Sequence, residues 1–297
     1  MARDPLPLRL GVMGAVVDRG RLLLSRRGDF NVWALPGGRL DRHETLMDGV
    51  IREVREETGL EVEIVSPQGM YFLAGLRRLN ILFICRPVGG VLRARTSESR
   101  DNRWFAADDL PDMPLRQIAE DAFGAEVCHR TIVTPPAALR RLRLRLAMRY
   151  IRNALQGRRE PAFPVFQVSA AALISSPSGR IAVRTGKMQS LPRVICHGES
   201  AIWEQLADAL REDLEVRALR DLRWSGVWMQ PERDQFEFVF GGRVDETALR
   251  QAAWTAPRTG ALSDRDSVYA ERSRSSEKVW WLVRRERSAQ PGDTLVR

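Results

Sequence analysis

Three glutamates within one short segment constrain this chain more than any other feature of its sequence. Glu53, Glu56 and Glu57 are spaced i, i+3 and i+4, which places them on one face of a helix. Neighbouring negative charges repel each other, so this arrangement costs stability unless a cation lies among them. All-oxygen ligation suits Mg²⁺ or Mn²⁺. The spacing alone leaves two interpretations open, a divalent-metal site or an exposed acidic helix with i,i+4 ion pairs.

The residues around the glutamates predict a helix that could carry chemistry. Residues 44–58 have helical character, and Gly59 fits the C-terminal stop of that helix. Arg52 precedes Glu56 by four residues, so it can pair with that carboxylate and fix its rotamer. Cations held by such a cluster can neutralise a diphosphate, position a water and stabilise the leaving phosphate.

The complete spacing resembles the signature of a known family. Gly38 is followed at fixed distances by Glu44, by the Arg52-Glu53 pair, by the Glu56-Glu57 pair, and by Gly59 with an apolar neighbour. This pattern resembles the Nudix box of the Nudix hydrolase family, and every fixed position of the box is present. The resemblance covers residues 7–125 and includes residues 33–38 before the box and residues 103–105 and 109–111 after it.

The resemblance implies roles for the charged residues of the box. Glu56 and Glu57 are expected to be the principal metal ligands. Glu53 is expected to be a third ligand or the base that activates water. Arg52 would orient the carboxylates, and Glu44 would support the residues around the metal. The implied cofactor is Mg²⁺ or Mn²⁺.

The resemblance also implies roles for residues on either side of the helix. Gly37 or Gly38 would supply a backbone carbonyl ligand and the tight loop, and Gly59 would permit the turn after the helix. Some family members add a carboxylate from a later loop as base or ligand. Glu98 and Asp101 are the candidates for that carboxylate here.

The resemblance implies a substrate built on a nucleoside diphosphate linked to another group. Members specific for ADP-ribose often carry a proline soon after the box, but that place falls near Gly75, where there is no proline. Members acting on dinucleoside polyphosphates often carry a tyrosine slightly further on, where this chain has Arg77 and Arg78. These arginines either contact phosphate or are exposed turn residues. Nucleotide sugars including ADP-ribose, and nucleoside triphosphates including damaged ones, all stay open.

The pattern of strands and helices indicates an α/β (α+β) sandwich, and the resemblance implies the Nudix fold, a mixed β-sheet between helices. The second half of the chain echoes the first. Residues 170–184 repeat the strand, turn and strand of residues 14–26, and residues 191–192 repeat the Leu-Pro of residues 35–36. We therefore predict a duplicated fold. The predicted units are a catalytic domain, 7–130, an arginine-rich helical linker, 131–163, a degenerate Nudix-like domain, 164–285, and a flexible tail, 286–297.

The second copy is predicted to have lost the chemistry. Gly198 can be matched to Gly38, and the region of Trp280 to that of Trp104, but no register of residues 201–213 restores the box. We therefore expect no catalytic metal in this domain. It could complete the substrate pocket, hold the pair of domains together, or bind a regulator.

Positive charge is concentrated in the predicted linker. The chain has a net charge of +9, and residues 130–160 contain nine arginines and one acid. The predicted helix, 137–155, is amphipathic, with arginines on one stripe and Leu139, Leu142, Leu146 and Tyr150 on another. Its basic face is either a solvated surface or a contact for an anionic substrate or nucleic acid, although no nucleic-acid-binding motif accompanies it. The alternative function is a catalytically silent, nucleotide-sensing or nucleic-acid-binding protein on a Nudix scaffold.

Composition limits the remaining possibilities. The three cysteines, Cys85, Cys128 and Cys196, are far apart and form no CxxC pair, so neither a zinc site nor a disulfide framework is indicated. No apolar run is long enough for a membrane span, and the N-terminal residues lack the apolar core of a secretory signal. We therefore expect a cytoplasmic protein with no membrane partner. The sequence does not decide its oligomeric state.

Overall fold

A computed structural model describes residues 6–28, 30–155, 163–184, 189–214, 222–248, 253–256, 262–272 and 279–285. The predicted tail, 286–297, and the end of the predicted linker, 156–162, lie outside these residues. Among the helices that are described, none combines the length and the apolar character required to cross a membrane.

The first half forms a mixed sheet with helices packed against it. In chain order its elements are β1 (Arg9–Asp18), β2 (Arg21–Arg27), β3 (Trp33–Ala34), β4 (Gly37–Arg39), α1 (Leu46–Thr58), β5 (Leu60–Ala74), β6 (Arg78–Gly90), β7 (Ser99–Phe105), α2 (Arg116–Asp121) and β8 (Cys128–Val133). Within the described residues the strand order is β3-β2-β1-β6-β5-β8, with β4 paired to β1 and β7 paired to β2. The α/β (α+β) sandwich expected from the sequence is confirmed.

Helix α1 packs on the sheet through a stripe of apolar residues. Leu46, Val50 and Val54 are spaced i,i+4 and are fully buried, and they join the core to which β1 contributes Leu10 and Val12. The helix begins one residue after Thr45, whose side chain accepts a hydrogen bond from the amide of Asp48 at 3.0 Å. The predicted helix start at residue 44 is therefore wrong, and Glu44 belongs to the loop before α1. Gly59 ends the helix at φ 80°, as predicted.

Strand β5 corrects a second expectation. The sequence indicates two strands, 61–65 and 70–74, but the structure has one strand, whose pairing with β6 shifts register between Glu61 and Val62, between Ile64 and Ser66, and between Pro67 and Gly69. Such irregularities absorb a residue that cannot donate a hydrogen bond. Strand β8, which pairs in parallel with β5, has no counterpart among the predicted strands.

A helix and a second sheet complete the described chain. The elements are α3 (Pro136–Leu155), β9 (Gln167–Ser175), β10 (Ile181–Val183), β11 (Arg193–Ile195), α4 (Ile202–Leu214), β12 (Arg223–Gln230), β13 (Gln235–Arg243), β14 (Ala253–Thr255), α5 (Asp264–Arg272) and β15 (Trp280–Val283). Within the described residues the strand order is β14-β10-β9-β13-β12-β15, with β11 paired to β9. This order follows the one in the first sheet, strand for strand, except for the short β3.

The backbone contacts of the two sheets agree in detail. Strands β1 and β6 are parallel, and so are β9 and β13. The amide of Gly14 donates to the carbonyl of Pro36 at 2.8 Å, and the amide of Ala172 donates to the carbonyl of Pro192 at 2.8 Å. This common register gives the residues of the paired strands in the first half definite counterparts among the described residues of the second.

The register corrects two sequence matches. Val194 pairs with Ala170 in β9 as Gly38 pairs with Val12 in β1, so Val194 takes the place of Gly38, and the match of Gly198 to Gly38 is wrong. Strand β14 pairs with β10 as β7 pairs with β2, so Trp254 takes the place of Trp104, and the match of Trp280 is also wrong. Like residue types misled the comparison, because strand pairing and not composition fixes the correspondence.

The two halves share one apolar core. A single buried cluster contains Leu8 and Val54 from the first half together with Val168 and Phe236 from the second. Near its edge, the ring of His129 lies 4.8 Å from the ring of Trp203 and 5.9 Å from that of Phe240. These contacts fix how the two sheets face each other.

Helix α3 confirms the helix predicted at 137–155. Its predicted apolar stripe is partly buried at Leu139, Leu142 and Leu146, and Leu139 contacts Gly75 of the first half. A second set of apolar side chains, which the stripe did not predict, is exposed: Leu144, Met148, Ile151 and Leu155.

Candidate active site

Three carboxylates meet beside the N-terminal end of β7. Glu53 and Glu57 are buried on α1, and Glu98 is an exposed residue immediately before β7. One oxygen from each carboxylate lies within 4.8 Å of the other two. Two donors join the end of α1 to β7, because Ser99 Oγ and Asn102 Nδ2 both donate to the backbone carbonyl of Glu57, at 2.8 and 2.9 Å. The same β7 residues thus hold Glu98 next to the helix.

Two glycines let the carboxylates approach the backbone. The amide of Gly37 donates to Glu57 Oε2 at 3.1 Å. A Cβ at Gly37 would lie 2.3 Å from the carbonyl oxygen of Val12, so no larger residue fits there. A Cβ at Gly38 would lie 2.4 Å from Glu53 Oε1. The Glu53 carboxylate therefore occupies the space that a side chain at residue 38 would need.

Gly38→Ala tests this close approach. The added methyl must displace the Glu53 carboxylate, so we expect the Mn²⁺ affinity to fall ~10-fold or more and hydrolysis to fall with it, the range reported for disturbed metal surroundings. Isothermal titration with Mn²⁺ measures the affinity. Gly20→Ala is the control for a glycine substitution, because nothing lies within 4 Å of a Cβ there, although its positive φ lowers the stability of that turn. Unchanged Mn²⁺ affinity in Gly38→Ala would contradict the assignment of Glu53.

Arg52 is the hub of the surrounding charges. Its guanidinium donates to both oxygens of Glu44, at 2.7 and 3.0 Å, to Glu53 Oε1 at 2.9 Å and to Glu56 Oε2 at 3.2 Å. It also donates to the backbone carbonyl of Arg39 at 3.2 Å. The side-chain hydrogen bonds to Glu44, followed by those to Glu53, raise the pKa of Arg52, against the effect of its burial. A planar fork of five donors can make this set of contacts, and a lysine cannot.

Burial makes the two inner carboxylates unusual. It raises the pKa of Glu57 to about 8, although the charge of Arg27 and the amide of Gly37 act in the opposite direction. Burial also raises the pKa of Glu53, against the hydrogen bond from Arg52. A buried carboxyl that resists ionisation is stabilised in its charged form by a nearby cation. The donor set is all oxygen, and it fits a hard divalent cation.

Of the other candidate carboxylates, Glu98 lies in the cluster, whereas Asp101 and Glu56 lie outside it. Glu98 reaches the cluster, whereas Asp101 forms an ion pair with Arg103 at 2.6 Å. Glu56 is outside the group of three, since its side chain is 43% exposed and pairs with Arg52. The spacing placed Glu56 on the same face, but only the side chains of residues 53 and 57 point toward Gly37 and Gly38 of β4.

The two candidate phosphate-binding arginines have separate positions. Arg78 donates to the carbonyl of Gly38, and burial together with the charge of Arg27 lowers its pKa to about 10. Arg77 lies in the turn between β5 and β6, where its Cβ and Cγ approach Gly198 of the second half. Direct phosphate contact by either residue stays a prediction.

Three residues that build the site were not predicted from the sequence. Ser99 and Asn102 fix the end of α1, and Arg27 places a positive charge near Glu57. Each lies on a strand that pairs with another strand, β2 with β7. Knowledge of that pairing would have been needed to find them.

The described geometry defines a class of site, a cluster of two buried carboxylates and one exposed carboxylate beside Gly37 and Gly38 of β4, suited to a divalent cation. A sequence model of the NUDIX domain matches residues 7–124. A MutT-like protein of Streptomyces ambofaciens is 42% identical over 112 residues, which are 37% of this chain and 72% of that protein. The chain belongs to the NUDIX family. It is thus a hydrolase of acid anhydrides in phosphorus-containing compounds, and such enzymes generally require a divalent metal.

Other relatives match the same half of the chain. A protein of Bacillus subtilis named putative 8-oxo-dGTP diphosphatase is 30% identical over 116 residues, covering 38% of this chain and 78% of that protein. A protein of Methanocaldococcus jannaschii named ADP-ribose pyrophosphatase is 30% identical over 111 residues, covering 35% of this chain and 65% of that protein. Two relatives that are equally similar to this chain thus have names that state different substrates.

Proposed function

We propose that this chain is a Mg²⁺-dependent pyrophosphohydrolase that cleaves the diphosphate bond of a nucleoside diphosphate linked to another group. One observation carries the proposal: Glu53, Glu57 and Glu98 bring their carboxylates within 4.8 Å of one another, although two of the three are buried. Burial raises the pKa of both glutamates although Arg52 contacts Glu53 and the charge of Arg27 acts on Glu57, and a bound divalent cation would offset the remaining cost of burying these charges.

The chain's own residues would divide the work. Glu53, Glu57 and Glu98, with the backbone carbonyl of Gly37, would hold the metal. When bound, Mg²⁺ supplies the charge that neutralises the diphosphate and polarises the attacking water. Glu98, the exposed carboxylate of the group, would accept the proton of that water, or Glu53 would. We assign this base to Glu98 or Glu53.

The remaining box residues would keep these ligands in place. Arg52 fixes the Glu53 carboxylate and is itself fixed by Glu44. Glu56, which is exposed beside Arg52, is available to a further cation that arrives with the phosphates. Arg78 donates a hydrogen bond to the Gly38 carbonyl and so supports the two glycines of β4. Gly59 ends the helix two residues after Glu57.

Two classes of substrate are consistent with this reaction, and the proposal includes both. One is a nucleoside triphosphate, including an oxidised one, in line with the name of the Bacillus subtilis relative. The other is a nucleotide sugar such as ADP-ribose, in line with the name of the Methanocaldococcus jannaschii relative. Both contain the nucleoside diphosphate that the proposal requires, and they differ in the group that leaves.

A substrate panel tests the proposal and chooses between the classes. The full chain is incubated with nucleoside triphosphates, 8-oxo-dGTP, ADP-ribose and nucleotide sugars, with Mg²⁺ or with EDTA. We expect release of a nucleoside monophosphate from one class, dependent on Mg²⁺ and at least ~10³-fold faster than in EDTA. Chromatography of the nucleotides gives both rate and product. No Mg²⁺-dependent product from any compound would count against the proposal.

For the second half we propose a degenerate Nudix-like domain that binds no catalytic metal, with domains at 7–130 and 164–285. The support is the common register. Helices α1 and α4 bury apolar residues at matching positions, so that Val194 and Ala209 stand where the first half has Gly38 and Glu53. A valine and an alanine fill this place with apolar atoms. The domain would serve to hold the catalytic half in shape.

A second candidate function rests on helix α3. Arg140, Arg141 and Arg143 are exposed on it, which favours contact with an anionic polymer. In that case the chain would bind RNA or DNA with an affinity that falls steeply with salt, and the substrate panel would show no turnover. The intact box favours the enzyme.

A further inference from the structure

The loop that precedes α1 is held by the second half of the chain. Arg42 Nε donates to Asp234 Oδ2 at 2.8 Å, and the backbone amide of His43 donates to Asp234 Oδ1 at 2.9 Å. The ring nitrogen Nδ1 of His43 also lies 3.4 Å from the carbonyl oxygen of Pro231. Both oxygens of one carboxylate are thus used on two adjacent residues of the Nudix box.

Asp234 is built into its position. Its side chain is only 5% exposed, whereas that of Arg42 is 65% exposed. It lies in the turn between β12 and β13 at φ 53°, and its carbonyl accepts a hydrogen bond from the amide of Gln167 at 2.9 Å. A carboxylate that is removed from water and aimed at a backbone amide is a specific contact, unlike an exposed surface ion pair.

The contact has a counterpart that lacks the carboxylate. Arg77 occupies the equivalent turn of the first half at φ 54°, and its carbonyl accepts from the amide of Arg9 at 2.9 Å. That turn lies against Gly198, in the loop before α4. In each half, the turn between two paired strands therefore packs against the loop that precedes the helix of the other half, α1 or α4. Only the turn of the second half carries an acid, and it faces the loop of the intact box.

The held loop has an unfavourable conformation. His43 has φ 64°, a backbone region that non-glycine residues seldom adopt. The next residue, Glu44, accepts two hydrogen bonds from Arg52 and one from the amide of Asp41 at 3.1 Å. Arg52 in turn holds Glu53. A change in the backbone at residue 43 would therefore reach the carboxylate cluster through Glu44 and Arg52.

We propose that Asp234 is a positioning residue of the catalytic site. It keeps the loop before α1 in the conformation in which Glu44 can orient Arg52. Through this contact the second half stabilises the geometry of the catalytic site in the first half. We call the contact of Asp234 with residues 42 and 43 the brace. This role rests on the proposed function, because it assigns Asp234 a part in the same reaction. The hydrogen bonds of Asp234 go to residues 42, 43, 167 and 231 and not to the proposed metal ligands.

Two variants of Asp234 and one matched control test the brace in the full chain. Asp234→Ala removes both acceptors, and Asp234→Asn keeps one acceptor for the amide of His43. Thr131→Val is the control, because Thr131 Oγ1 donates to Glu204 Oε1 at 2.8 Å across the same two halves and does not touch the box. The measurements are kcat and KM with saturating Mg²⁺, the unfolding midpoint, and amide hydrogen exchange of residues 42–46.

We expect kcat of Asp234→Ala to fall ~10-fold, as for a ligand set that is less well positioned, while KM changes less than ~3-fold. Asp234→Asn should recover part of the loss. Exchange at residues 42–46 should speed up in Asp234→Ala and stay as in wild type in Thr131→Val, whose kcat should also be that of wild type.

Unchanged kcat and unchanged exchange in Asp234→Ala would overturn the brace, and so would a lower unfolding midpoint with kcat intact. If the wild-type chain hydrolyses none of the panel compounds, the proposed function fails separately. The exchange of residues 42–46 then still decides whether Asp234 holds the loop.

Discussion

Glu57→Gln is expected to lower the Mg²⁺-dependent turnover of this protein at least ~10³-fold, the effect of removing a metal ligand from a metal-assisted hydrolysis. The residue is buried, accepts the amide of Gly37 and lies within 4.8 Å of two other carboxylates. Glutamine keeps the shape and one acceptor but not the charge. Steady-state hydrolysis of the best panel substrate measures the loss, and titration with Mn²⁺ measures the accompanying loss of cation affinity.

The fold should survive this substitution. Because the wild-type carboxylate is buried, replacing it by a neutral group of the same shape removes a desolvation cost. The unfolding midpoint of Glu57→Gln in EDTA should therefore be at or above that of wild type. Glu61→Gln, an exposed residue on β5, is the control and should retain full activity. Near-wild-type turnover in Glu57→Gln would remove Glu57 from the site.

Arg52→Lys is expected to lower turnover ~10²-fold although it keeps the positive charge. Arg52 makes a two-point contact with Glu44 and also holds Glu53 and Glu56. A lysine ammonium cannot reach these partners in one plane, so the Glu53 carboxylate loses its fixed orientation. Measured kcat should fall more than the Mn²⁺ affinity, because the substituted residue orients a ligand and does not itself bind the metal.

Arg52→Ala separates the loss of orientation from the loss of charge. It leaves Glu44 and Glu53 without their cationic partner in a partly buried place, so we expect both lower turnover than in Arg52→Lys and a lower unfolding midpoint. Arg55→Lys, at an exposed position of the same helix, is the matched control. If Arg52→Lys and Arg55→Lys had the same kcat, the two-point contact would have no role in the reaction.

The sequence was sufficient for the local parts of the site. The spacing of the glutamates and the glycine after residue 58 predict a helix and its end because both depend on contacts within one turn. The same spacing could not rank the glutamates by burial. The side chains of Glu53 and Glu57 lie beneath the two glycines of β4, whereas that of Glu56 is more exposed. This difference depends on how α1 packs against β4.

Parts that depend on pairing between distant strands could not be read in advance. Glu98 was one of two loop candidates, and only the register of β7 on β2 places it, and not Asp101, next to the helix. Strand β5 was divided in two because its bulges near Pro67 interrupt the pattern of alternation. The contact of Asp234 with residues 42 and 43 joins positions about two hundred residues apart, and no local rule reports on such a distance.

The presence of Val194 and Ala209 at the places where the first half has Gly38 and Glu53 has a consequence for any metal site in the second half. Restoring a glutamate at position 209 alone would bring its carboxylate to a place where the valine side chain already takes up room, and a glycine at 194 alone would leave that room empty. Either first step is therefore expected to lower the stability of the second half before the other step can offset it. If the second half is the degenerate domain that we propose, a second carboxylate cluster would need coupled substitutions there and would not follow from a single one.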